Sequence, residues 1–460
     1  MSQTSRSRLR HHTGLLLAVW LFTGPPGVVA AQRPDAPPPP SATPPTVPQT
    51  PPPDAAASDP QTGDAQLQEL KRQLDALAAE VEQLRSGEEE QPLTDERRRA
   101  LGLAPSASAT YRKKQGVSLA GYGEMLYERY DQQLESGARS PRAAQLDFLR
   151  LVLYSGYRFG DRFLFNSEIE LEHTNEVSVE FAYVDYVVND HVTLRGGLLL
   201  VPLGLVNEFH EPTVFVGSRR SETETRIIPS TWRENGAGVL GTAGPVSFRA
   251  YLLNGLNAGG FSSDGLRGGR QKGARAKAAD LAVAARLDYT LVPGIFIGGA
   301  IYRDGADQDQ YASDARDADV KTTIGEAHAQ AQLRGLDVRG LFARAAVGEA
   351  GRLNQARGLT GNRSISESMH GGFVQLGYNL LALRTNRMWL TPYYRFEAVD
   401  TQESIAAGFV ADLSKRGTFH TVGVEFRPIY NVVLKADYQP TSNKAAVGRT
   451  QFNINLGYAF

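Results

Sequence analysis

The sequence predicts an all-β fold: an antiparallel transmembrane β-barrel of about sixteen strands, preceded by a short periplasmic coiled coil. Three observations carry this expectation. Apolar–polar alternation with a period of two recurs from about Gly116 to the end of the 460-residue chain. Tight turns and longer polar loops alternate between the segments. The last segment, Arg449 to Phe460, sets Phe452, Ile454, Leu456, Tyr458 and Phe460 on one face and Asn453, Asn455, Gly457 and Ala459 on the other. A bare apolar edge strand invites aggregation in a soluble sheet, whereas a lipid-facing strand that closes on the first strand leaves no edge.

Composition fits and narrows the class. Mean hydropathy is -0.32 and charged residues make up 22%, which excludes a bundle of membrane helices. A formal net charge of -1 gives no overall field for nucleic acid. The absence of cysteine excludes disulfides, thiolate metal sites and a thiol nucleophile. The 46 glycines, 18 tyrosines and 19 phenylalanines suit short turns and aromatic-rich strands.

Residues 1–31 read as a secretory signal peptide. Arg6, Arg8 and Arg10 form the positive end, Gly14 to Phe22 the apolar core, and Val28, Ala30 and Ala31 a small-residue cleavage site. Residues 32–64 are a Pro-rich linker, an extended and semi-rigid spacer. Within 65–86, Leu67, Leu70, Leu74, Leu77, Val81 and Leu84 are spaced 3-4-3-4-3, the a/d seam of a coiled coil that predicts self-association. Residues 87–115 are charged, lack a clear period and read as a second linker. Residues 116–460 form the barrel domain, its segments running from 116–130 and 144–158 through to 430–438 and 449–460.

With the amino terminus in the periplasm, tight turns such as Phe159–Asp161, Asn189–Asp190, Pro293–Gly294 and Ile429–Asn431 all fall on the periplasmic rim. The longer connections fall outside, with His173–Glu176 the one short member of that set. Charged alternating faces must meet water, so they face a lumen. Glu180 and Asp185 fall on opposite faces of one segment, which predicts a bulge or a shifted register between them.

Several runs resemble porin-like outer-membrane proteins related to the phosphate-selective porin O and P family: GYGE at Gly121–Glu124, VPLGLVNEFHEP at Val201–Pro212, RIIPSTWRENGAGV at Arg226–Val239 and the terminal aromatic strand. The resemblance covers Val117 to Phe460. It implies a sixteen-stranded homotrimeric channel with the loop after the fifth strand folded into the pore.

That loop, 202–234, carries Glu208, His210, Glu211, Arg219, Arg220, Arg226 and Arg233, with Glu222, Glu224 and Glu234 beside them. In a pore such charges set selectivity by sign and width. Arg150, Glu168, Glu170, Glu172, Arg195, Arg249, Arg286 and Arg395 are expected on the lumen wall. Arg427, Lys435, Asp288, Glu326, Glu397, Glu425 and Asp437 join them. The tally of signs is balanced, which predicts modest ion selectivity rather than a high-affinity phosphate site. Tyr458 and Phe460 are the expected assembly signal. Arg267, Arg270, Lys272, Arg275 and Lys277 lie in a Gly-rich external loop without phosphate-loop spacing. Asp304, Asp307, Asp309, Asp314, Asp317 and Asp319 lie in an acidic one whose spacing does not match an EF-hand, so no metal site is expected.

Enzyme signatures are missing, including G-x-S-x-G and H-E-x-x-H, and neither catalysis nor a cofactor is expected. The leading expectation is a passive channel in the bacterial outer membrane, in contact with its lipid, for ions and small hydrophilic solutes, with anions such as phosphate implied by the resemblance. The second is a structural anchor whose Pro-rich arm and coiled coil reach the cell wall.

Overall fold

The computed structural model describes residues 93–310, 319–384 and 387–460, together with six helical positions between 68 and 75. The signal peptide, the Pro-rich linker and the greater part of the coiled-coil seam lie outside the described residues.

Seventeen strand segments form one antiparallel sheet that closes on itself. They are β1 (Gly116–Tyr130), β2 (Gln145–Arg158), β3 (Phe163–Glu172), β4 (Glu176–Asn189), β5 (Val192–Leu200), β6 (Arg233–Ala243), β7 (Val246–Asn254), β8 (Leu281–Val292), β9 (Ile295–Gly305), β10 (Lys321–Leu333), β11 (Leu336–Val347), β12 (Ser368–Tyr378), β13 (Trp389–Ser404), β14 (Arg416–Ile429), β15 (Val432–Gln439), β16 (Thr441–Asn443) and β17 (Gln451–Ala459). Segments β15 and β16 both pair with β14 and are one strand interrupted at Pro440, so seventeen segments make sixteen staves. Proline has no N–H to give the ladder, which is why the stave breaks there.

Closure runs from Tyr122↔Ala459 to Tyr130↔Gln451 between β1 and β17. Phe460 and Gly121 exchange two backbone hydrogen bonds of 2.9 Å beyond the last pair. The GYGE run has a steric reason: a Cβ on Gly123 would lie 2.3 Å from the Tyr458 ring, and one on Gly121 would lie 2.7 Å from the Phe460 ring. Two closing aromatics thus lie flat across a strand that offers no side chain at those positions.

Period-two patterning puts aliphatic side chains outward on every wall, among them Leu119 at 76%, Val177 at 71% and Val374 at 60% exposure. Such a continuous apolar exterior suits lipid rather than water. Glu180 sits in a bulge, since Glu168 pairs with Phe181 and Ile169 with Val179. The extra residue lets Glu180 and Asp185 both point inward, where both are buried. The β12–β13 connection, 379–388, is longer than the other turns on its rim, and Asn379 Oδ1 braces it by accepting from the amides of Leu381 (3.0 Å) and Leu390 (3.1 Å).

The second linker needs correction. Residues 93–113 lie within the barrel. Thr94 caps a short helix, α1 (Asp95–Ala100), and a 3-10 turn follows over Ser106–Arg112. Leu101, Leu103, Ala104, Ala107, Ala109 and Tyr111 are buried in the same apolar cluster as the inward side chains of β1–β4. Small residues allow the close approach: a Cβ on Gly156 would lie 1.7 Å from Thr110 Oγ1.

Candidate functional site

Two insertions meet inside the barrel. The first is the chain between β5 and β6, residues 201–232, which turns into the lumen and crosses it. It includes a one-turn helix, α2 (Thr223–Arg226). Ser218 N donates to Asp437 Oδ2 (2.7 Å), Lys435 Nζ donates to the carbonyls of Phe215 (2.7 Å) and Gly217 (3.0 Å), and Thr223 N donates to Glu397 Oε1 (2.6 Å). Arg339 holds Val214 O at 3.0 Å, and Arg286 also reaches Gly204 O. The loop is therefore bolted to β8, β11, β13 and β15, across from its own strands. Arg233 and Glu234, read from the sequence as loop, are the first residues of β6.

The second insertion is residues 93–113. Tyr122, Tyr154, Phe181 and Tyr183 form an inward aromatic ladder on β1, β2 and β4, with successive centroids 6.1, 6.0 and 5.2 Å apart. The 3-10 turn packs on this wall. Asn166 Nδ2 donates to Ala107 O (2.9 Å), Tyr111 Oη donates to Asp185 Oδ2 (2.6 Å), and Arg195 pairs with the same carboxylate. Glu211 joins the two insertions. Its carboxylate accepts from Ser106 N (2.8 Å), Ala107 N (3.2 Å) and Ser106 Oγ (3.1 Å). Arg249 ties the helix end by donating to Arg99 O at 2.7 Å.

Most of the charges expected to line a constriction are thus structural struts. Glu208 pairs with Arg249 at 3.1 Å, His210 Nε2 meets Glu168 at 3.0 Å, and Arg226 holds Glu222 at 2.6 Å. Arg233 holds Glu180 at 2.5 Å, and Arg219 pairs with Glu128. Glu224 accepts from the amides of Leu205 (2.6 Å) and Val206 (2.8 Å), and Glu234 accepts from Asn254 (2.6 Å). Arg220 differs: it donates to Thr231 Oγ1 (2.7 Å) and makes no ion pair among the described residues.

The residues read as lumen wall are held in ion pairs and hydrogen bonds inside the barrel. Arg150 binds Glu170 (3.0 Å) and Glu124 (3.3 Å), while Glu172 is half-buried near the rim. Asp288 gathers Arg249 (2.9 Å), Arg286 (2.9 Å) and His328 (2.8 Å), and His328 also meets Glu326 at 2.8 Å. Arg395 lies beside the crossing loop and donates to Arg219 O at 3.3 Å. Arg270 departs from the free basic loop expected for it, since it donates to Thr231 O and fastens loop 255–280 to the crossing loop. Asp304 is a buried end of β9 rather than loop, and accepts from Leu256 N (2.6 Å) and Tyr302 Oη (2.7 Å). Asp307 and Asp309 converge with Asp280, their carboxylate oxygens within 4.8 Å of one another, whereas Asp314 and Asp317 lie outside the described residues.

Between the insertions and the β10–β14 wall a cavity of about 540 Å³ opens toward the short-turn rim. A pocket of about 20 Å³, near the size of one water, continues between the crossing loop and the wall, and Leu205, Val216 and Arg339 line both spaces.

No family model matches the sequence. An uncharacterized protein of Aquifex aeolicus (strain VF5) is 34% identical over 353 residues, which cover 73% of this chain and 78% of that one. The chain belongs to the family of this Aquifex protein. Among solved structures, a loop-deletion form of OmpT, an outer membrane protein of Vibrio cholerae, superimposes with a TM-score of 0.50 at 10% identity over 76% of this chain and all of that one. The likeness establishes the fold as that of an outer-membrane barrel. The outer membrane channel DcaP of Acinetobacter baumannii overlaps with a TM-score of 0.48 at 12% identity, over 75% of this chain and 97% of its own.

Proposed function

We propose that the protein is an outer-membrane porin that admits ions and small hydrophilic solutes through a narrow, charged lumen. One observation carries the reading: charged and amide side chains line the inside of the closed barrel at depths where the outside is apolar. An interior of that kind takes up water and ions, and the crossing loop and the amino-terminal segment restrict how fast they pass. Kinship with the phosphate-selective O and P porins and a trimeric assembly belong to this proposal. They rest on the runs at 121–124, 201–212 and 226–239 and on the heptad seam. Because most lumenal charges are already paired, the pore should discriminate weakly between ions and bind phosphate poorly. The arm before Leu93 would lie in the periplasm, with the tight turns and Phe460 on the same side.

Purified full-length protein in a planar bilayer tests the reading. Discrete conductance steps with a reversal potential near zero under a salt gradient are expected. A bilayer that stays silent at all voltages, with barrel demonstrably inserted, would overturn it.

A further inference from the structure

The cavity at the short-turn rim has a chemistry of its own. Seven arginines and three carboxylates line it, and Asp288 lies behind Arg286 as a fourth carboxylate, so arginines outnumber their acidic partners. Four of these arginines have carboxylate partners: Arg98 with Asp95, Arg286 with Asp288, Arg339 with Asp337 and Arg427 with Glu425. Three remain. Arg334 and Arg384 make no ion pair among the described residues. Arg99 has only Glu96, at 3.8 Å, and its Nη2 is buried without a hydrogen-bond partner. Its guanidinium lies 4.3 Å over the Phe296 ring, which holds the group flat and in place.

Apolar side chains share the lining. Phe209, Val214 and Val216 come from the crossing loop, and Trp389 and Tyr430 from the wall. A space of about 540 Å³ lies within the roughly 300–1,000 Å³ range of small-molecule sites, which combine apolar walls with a few placed polar groups. A bare inorganic anion would leave that apolar surface wet, and an uncharged apolar molecule would leave Arg99 Nη2 without a hydrogen-bond acceptor.

We infer that this cavity binds an amphipathic organic acid, its carboxylate at Arg99 and its apolar body between Phe209, Val216 and Trp389. The inference deepens the porin reading by naming a solute class, and rests on that reading only for the route by which the acid arrives. Arg334 and Arg384 at the rim attract the anion, and the paired arginines are not displaced. Because Arg98, Arg99 and Leu103 belong to the amino-terminal segment, the site is complete only while that segment is docked.

Trp389 reports on the site, since a bound heavy atom quenches its fluorescence. Full-length protein in lipid nanodiscs is titrated with 4-bromobenzoate. Saturable quenching is expected that Trp389→Phe abolishes, that acetate does not compete away, and that 4-bromobenzylammonium does not reproduce. Arg99→Gln should weaken binding about tenfold, the loss of one charge-assisted hydrogen bond. Arg334→Gln with Arg384→Gln, at exposed positions that leave the fold intact, should weaken it in a salt-dependent manner. Quenching that does not saturate, equal quenching by the ammonium compound, or unchanged affinity in both variants would overturn the inference. Binding without conductance would instead refute the porin reading alone, and conductance without binding would refute only the site.

Discussion

Replacing Glu211 by alanine should release the amino-terminal segment from the lumen. The carboxylate is fully buried and accepts three hydrogen bonds, two of them from backbone amides at the start of the 3-10 turn. Those amides point away from solvent and have no alternative acceptor once the carboxylate is gone. Stranding buried donors costs roughly 1–3 kcal/mol each, so two amides and a hydroxyl put the loss at roughly 3–9 kcal/mol, the low end applying if water enters the vacated space. That shifts the docked–released equilibrium by roughly two to six powers of ten. The chain has no cysteine, so one introduced at Ser108, which is buried, gives a clean readout. Maleimide labelling of Ser108→Cys should be slow in the parent protein and faster by roughly the same factor in the Glu211→Ala background, with a parallel rise in conductance. Equal labelling rates in the two backgrounds would show that Glu211 does not hold the segment, and the argument from the hydrogen bonds would fail.

Other expectations follow from the same geometry. Gly123→Val places a side chain where the Tyr458 ring lies and should lower the yield of heat-modifiable barrel on unheated gels, with Tyr458→Ala restoring it; undiminished yield in the single variant would rule out this packing. Deleting Phe460 removes two backbone bonds of the closure and should leave protein in the periplasm, as cell fractionation would show. Arg220→Gln, which breaks no ion pair, should move the reversal potential toward cations without changing barrel yield, whereas Arg233→Gln leaves Glu180 buried without its partner and should reduce yield. Leu74→Asp with Leu77→Asp should weaken a trimer seen by cross-linking while the barrel stays folded; a monomer before and after would end the coiled-coil proposal.

The barrel was legible because its period-two signal is local. The alternating charges Glu168, Glu170 and Glu172 of β3, or Arg286 and Asp288 of β8, need a wet side, and Phe452, Ile454, Leu456 and Tyr458 of β17 need an apolar one. The β4 bulge was legible for the same reason, since Glu180 and Asp185 could not both be inside without it. The amino-terminal filling was not legible. Leu101 to Tyr111 is a run of small and apolar residues without a period, and its value lies in fitting an aromatic wall contributed by three strands. The acid-rich and Arg-rich stretch before it gave the region the composition of a linker. Charges on the crossing loop were found but their role was not, because sequence shows which groups are charged and not which ones neutralise each other. Glu211 reads like a pore carboxylate until Ser106, 105 positions earlier, is seen to donate to it.

The docking of residues 106–112 on the first three strands has a consequence for how the molecule is made. Those strands follow within about sixty positions (172 − 112) and are joined by short connections, so the early part of the wall and its filling can meet at small loop-closure entropy. The seam between β1 and β17, by contrast, joins residues more than three hundred positions apart (451 − 130 = 321). Closing that seam first would leave the filling to thread into a finished cylinder. If the local contacts form first, the chain's own beginning serves as a mandrel: the sheet curls around a ready-made core, and the last strand latches over it.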